Sequence, residues 1–121
     1  MEAVKRSKKT LSGVIKVRIK GEAVFWAGGL MELLEYIKRC QSLKQACEQM
    51  QMSYSKGHRI VKIAEKELGF AIIRSEKGGS HGGGSVLTRE GERFAKCYKA
   101  FEEDVEAYGA IIFKSYFDEF L

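Results

Sequence analysis

The chain has 121 residues, the length of one domain with a modest core. Apolar residues make up 45% and charged residues 31%, which excludes an intrinsically disordered chain, and no run approaches the roughly 18 apolar residues of a membrane span. A formal charge of +5 favours a polyanionic partner, while the odd and scattered Cys40, Cys47 and Cys97 exclude a disulfide framework and a CxxC zinc site.

Residues 1–10 are basic and aperiodic and are expected to form a flexible arm. They lack the apolar stretch of a secretory signal. Residues 11–121 are expected to fold as a single domain. Val14, Val17 and Ile19 interleave with Lys16, Arg18 and Lys20, and Ala23–Trp26 follows Gly21-Glu22, which predicts an N-terminal hairpin over 11–26. Leu30, Leu33, Leu34 and Ile37 repeat at helical spacing up to Cys40. Ser42 is placed to cap a short second helix holding Leu43, Ala46, Cys47 and Met50. After the tight Gln51-Met52 turn, Ser53 caps a third helix that Gly69 stops, giving a three-helix core over 29–69. Cys40 and Cys47 read as small apolar side chains within these helices.

The third helix has two unlike faces. Gly57, Ile60, Val61, Ala64 and Leu68 share one side, because residues three and four apart line one helical face. Ser55, Arg59, Lys62 and Lys66 share the other, flanked by Lys56 and His58. Such a face either meets water alone or presents small polar and cationic groups to a DNA major groove. Residues 70–87 then read as a hairpin, a β-prone run and a brief return strand around SEKGGSHGGGS. The glycine run lacks the Gly-Lys-Ser/Thr of a phosphate loop. Thr88 is placed to cap a long helix over 88–118, uninterrupted because the chain has no proline.

A helix, a very short turn, a second helix with a polar-basic face and a following hairpin make a winged helix-turn-helix, in a chain that is mainly α with small β hairpins. The candidate DNA-binding residues are Ser53, Tyr54, Ser55, Lys56, His58, Arg59 and Lys62 on or beside the reading helix, with Lys77 and His81 near the wing tip. Arg59 can offer a bidentate fork to guanine, and Lys56 or Lys62 can meet phosphates.

The Ser-Leu-x-x-Ala-Cys helix from Ser42, the Met-Ser-Tyr-Ser turn from Met52, the Gly-Gly-x-x-Gly-Gly-Gly run from Gly78 and the Leu-Thr-Arg-Glu-Gly from Leu87 carry a resemblance. Over about residues 14–118 the chain resembles the N-terminal DNA-binding domain of the ModE family of molybdate-responsive regulators, and in pattern also LysR-type winged helices. The resemblance implies a cytoplasmic, dimeric, winged-helix regulator of transcription bound to double-stranded DNA. ModE proper continues into C-terminal molybdate-binding modules, whereas this chain ends at Leu121 and reads as a standalone form, so molybdate binding is not expected.

Phe94, Tyr98, Phe101, Val105, Tyr108 and Ile112 are spaced 4, 3, 4, 3, 4, a heptad seam that predicts a homodimer interface. The alternative is a helix folded back on its own domain, with Gly109 as the bend. Ile111, Phe113, Phe117 and Phe120 widen the apolar area beyond a two-helix seam. No grouping of His, Asp, Glu or Cys has the spacing of an acid–base, nucleophilic or metal site, so neither an enzyme nor a cofactor is expected. Two other readings are a winged-helix module that docks a protein partner, and an RNA binder, for which no RNP-like aromatic strand pair is evident.

Overall fold

The computed structural model describes residues 10–76 and 84–121. Strand β1 (Ile19–Lys20) pairs antiparallel with β2 (Val24–Trp26), with a register shift between Ile19 and Lys20. The hairpin is thus shorter than the 11–26 expected. Residues 10–18 form no strand, because they find another partner. Gly13 lies against Phe113, Ile15 against Gly109, and the Val17 carbonyl accepts a hydrogen bond from the Tyr98 hydroxyl at 2.6 Å.

Helix α1 (Gly28–Cys40) buries Leu30, Leu33, Leu34 and Ile37, the stripe that its sequence spacing prescribes. It ends at Gln41, in the left-handed region with φ 54°. Ser42 then accepts a hydrogen bond from the Gln45 amide at 3.1 Å and starts α2 (Leu43–Gln49). Ser53 does the same for α3 (Tyr54–Leu68) through the Lys56 amide at 3.1 Å. Gly69 ends α3 at φ 81°, a conformation that glycine adopts without steric cost.

Strands β3 (Ile73–Glu76) and β4 (Gly84–Leu87) pair antiparallel, with Ile73 opposite Leu87 and Glu76 opposite Gly84. Thr88 accepts a hydrogen bond from the Gly91 amide at 2.9 Å and opens α4 (Arg89–Phe117), which is roughly 43 Å long at 1.5 Å per residue. A single 3₁₀ turn, Asp118–Phe120, follows.

The core lies where α1, α2, α3 and the start of α4 meet. Trp26, Leu33, Ile37, Val61 and Ile72 are shut off from solvent there. Trp26 packs its ring 4.5 Å from Phe94 and 6.4 Å from Tyr98 between centroids. The architecture is an α+β winged helix-turn-helix with a long C-terminal helix.

Candidate nucleic-acid interface

The inner face of α3 is set by one small residue. Gly57 is buried against Cys47, Met52 and Leu33, and a Cβ at this position would run into Cys47 Sγ. The α2 and α3 backbones therefore approach closely, and Val61 and Ala64 continue the contact to the core. Burial pushes the Cys47 thiol above its ordinary pKa, which suits an inert packing group.

The outer face stands clear of the body. Tyr54, Ser55, Lys56, His58, Arg59 and Lys62 are all exposed. Tyr54 stacks on His58 with ring centroids 5.8 Å apart. Lys62 pairs with Glu65 at 3.2 Å, whereas Lys56, His58 and Arg59 have no ion pair among the described residues. Ser53 is exposed too, but its hydroxyl caps the helix. Glu65 also holds the far end of α3. Its Oε2 accepts hydrogen bonds from the Ile72 amide at 2.7 Å and the Ile73 amide at 3.3 Å, fixing β3 to the helix.

The β3–β4 hairpin is tied back to the helices. The Ser85 amide donates to the Gln41 carbonyl at 2.9 Å. That carbonyl oxygen lies 2.5 Å from where a Cβ on Gly84 would sit, so only glycine permits the approach. Lys77 and His81 lie outside the described residues. Between α2, the first residue of α3 and the hairpin lies an open depression of about 560 Å³, lined by Ser42, Lys44, Tyr54, Ser75 and Ser85. Of these, Tyr54 was a binding candidate in the sequence and Ser42 a helix cap, whereas Lys44, Ser75 and Ser85 were not singled out. The signal lay in the Ser-x-Lys that starts α2, but Ser75 and Ser85 come beside it only through the hairpin pairing.

The six seam residues of α4 divide into two groups. Phe94 and Tyr98, expected at a dimer interface, belong to this chain's own core: Tyr98 is 2% exposed and Phe94 packs on Trp26. Tyr98 has no surface left to offer, whereas Phe94 is half-buried. Phe101 and Tyr108 stay open, at 55% and 65% exposure, and Ile112 is exposed beside them. With Ile15, Val105 and Gly109 they line an apolar cleft of about 280 Å³. Gly109 does not end the helix or turn it back on the domain. α4 continues through it unbroken to Phe117, and Gly109 is buried because Ile15 covers it.

Among the described residues no helix is long and apolar enough to cross a membrane. No family model matches the chain. Over 85 residues it is 28% identical to the transcriptional regulator ModE of Haemophilus influenzae, an alignment that covers 70% of this chain and 33% of that protein. The chain spans about a third of the length of this curated relative, and what it is similar to is a regulator of transcription.

Proposed function

We propose that the chain is a DNA-binding transcription regulator, with residues 11–121 acting as one winged helix-turn-helix unit in the cytoplasm. It reads duplex DNA with α3 in the major groove and the β3–β4 hairpin, with Lys77 and His81, against the sugar–phosphate backbone. The observation that carries this reading is the pairing of opposites on α3. One face is locked by Gly57, Val61 and Ala64, while the other holds Lys56 and Arg59 in the open, with no ion pair among the described residues. Arg59 reads a guanine edge. Lys56 and Lys44 meet phosphates, and the Tyr54 and Ser55 hydroxyls position the helix. Lys62, held by Glu65, supplies charge near the backbone. The likeness to a transcriptional regulator supports the same reading.

The active form is a homodimer joined through the C-terminal half of α4, where Phe101, Val105, Tyr108 and Ile112 meet their counterparts. A patch of this size and aromatic content is rarely left to water on a monomer. Two copies of α3 at a fixed separation then read a two-fold-related site.

Selection of bound duplexes from a random pool tests the reading. Binding is expected to weaken steeply with salt, by about 0.9 log units per contacted phosphate for each tenfold rise. Arg59→Ala relaxes preference at one base position, worth about 1–3 kcal/mol, while Lys62→Ala weakens all sequences alike. An enriched pool with no shared sequence and no salt dependence would instead favour a module that docks a protein partner.

A further inference from the structure

Residues 10–18 lie along α4, and their alternate side chains do different things. Gly13 lies against Phe113, Ile15 covers Gly109, and Val17 is buried with its carbonyl on the Tyr98 hydroxyl. The residues between them stay in solvent. Val14 is 82% exposed, the most exposed large apolar side chain among the described residues. Lys16 and Arg18 are exposed too, with no ion pair among the described residues. This alternation is that of an extended chain laid on a surface, with an inner row docked and an outer row left over. The outer row is an apolar side chain followed by two cations.

α4 carries the complement. The apolar cleft of about 280 Å³ is walled by Ile15, Phe101, Val105, Tyr108 and Ile112, and Asp104 is its one charged residue. Asp104 is exposed and has no ion pair among the described residues. Lys16 of the same chain does not pair with it, although its neighbour Ile15 lines the same cleft. One surface thus holds an apolar knob beside a cation and an apolar hole beside a carboxylate.

We propose that this cleft receives Val14 of a second copy of the chain, and that the partner subunit's Lys16 pairs with Asp104 at its rim. Two-fold symmetry makes the contact reciprocal, so each dimer holds it twice. A second copy is the occupant because knob, cation, hole and carboxylate all belong to one surface, as a self-complementary interface requires. Burial of Val14 also removes an apolar side chain that the chain by itself leaves in water. The contact rests on the homodimer proposed above, and it adds residues 10–18 to an interface otherwise made by α4 alone.

A rim ion pair contributes less to affinity than to partner choice, because like charges set opposite each other repel. Charge reversal therefore reads the contact, with self-association of the full chain measured by analytical ultracentrifugation. Lys16→Glu and Asp104→Lys should each weaken self-association roughly tenfold, since each homodimer then holds two like-charge pairs. An equimolar mixture of the two variants should associate as tightly as the wild type, because both contacts of the mixed dimer again join opposite charges. Pairing within one chain gives no such rescue, so weakening without rescue overturns the contact. Val14→Ser should also weaken association roughly tenfold, with circular dichroism unchanged, since its side chain is exposed in the single chain. A dimer indifferent to all three substitutions overturns this contact and leaves the α4 interface standing, which Phe101→Glu tests separately. A wild-type chain that stays monomeric overturns the homodimer reading, and the contact with it. Lys16→Glu that weakens DNA binding while self-association is unchanged assigns the cation to phosphate and overturns the pairing.

Discussion

Tyr98 joins the fold's two distant ends through one hydroxyl. It is buried beside Trp26 and donates to the Val17 carbonyl at 2.6 Å, with Glu102 Oε2 at 3.4 Å. Burial first, then the charge and hydrogen bond of Glu102 and the charge of Glu106, push its pKa above the ordinary tyrosine value. The unfolded phenol ionises near pH 10. The protonated form is therefore favoured in the folded state, and its contribution is complete below about pH 10 and lost as pH rises through the folded pKa. Tyr98→Phe should cost about 1–2 kcal/mol at neutral pH, because the buried Val17 carbonyl loses its donor. The same variant should show a shallower alkaline loss of stability in denaturant titrations. Gly91 makes a second residue-scale case. A Cβ there would sit 2.5 Å from the Ile72 carbonyl oxygen and 2.9 Å from its Cα, backbone atoms that cannot step aside. Elsewhere in a helix, glycine to alanine gains up to about 1 kcal/mol. Here Gly91→Ala should instead destabilise by about 1–3 kcal/mol, read from the midpoint of urea unfolding.

At the scale of elements, α3 and the hairpin act as one rigid piece because Glu65 spans their junction. Ile72 is fully buried, and Glu65 is the acceptor for its amide. Glu65→Ala should cost about 1–3 kcal/mol and speed hydrogen exchange at the Ile72 and Ile73 amides above all others. It also frees Lys62, so its effects on stability and on DNA affinity should have opposite signs. Helix α4 is two elements in energetic terms. Its first turns are core, fixed by Thr88, whose hydroxyl donates to the Ala71 carbonyl at 2.6 Å. Its later turns carry an apolar face that, among the described residues, Ile15 and its neighbours in residues 10–18 partly cover. The heptad spacing was legible in the sequence, but the division into a buried and an exposed half was not, since both halves carry the same residue types at the same intervals.

At the scale of the whole molecule, the exposed aromatic half of α4 should set the oligomeric state. Phe101→Glu places a carboxylate in the middle of that face and should yield monomers by light scattering, with helical content retained. A dimer of undiminished stability would rule out this face as the interface. If the proposed dimer reads DNA with both copies of α3, monomers should also bind it with a shallower salt dependence, because half of the phosphate contacts would be lost.

Local chemistry settled the elements in the sequence. Ser42, Ser53 and Thr88 fix helix starts through their own hydroxyls, Gly69 fixes an end through its left-handed backbone, and apolar spacing fixes the buried faces. These signals act within a few residues, so they survive without a partner. Tertiary structure alone decided the rest. It sent residues 10–18 along α4 instead of into a longer hairpin, drew Phe94 and Tyr98 into the core, and set Ile15 and Asp104 at one cleft. Each of these outcomes depends on which of several compatible apolar surfaces are buried together, a choice made by packing across the chain and not by any local pattern.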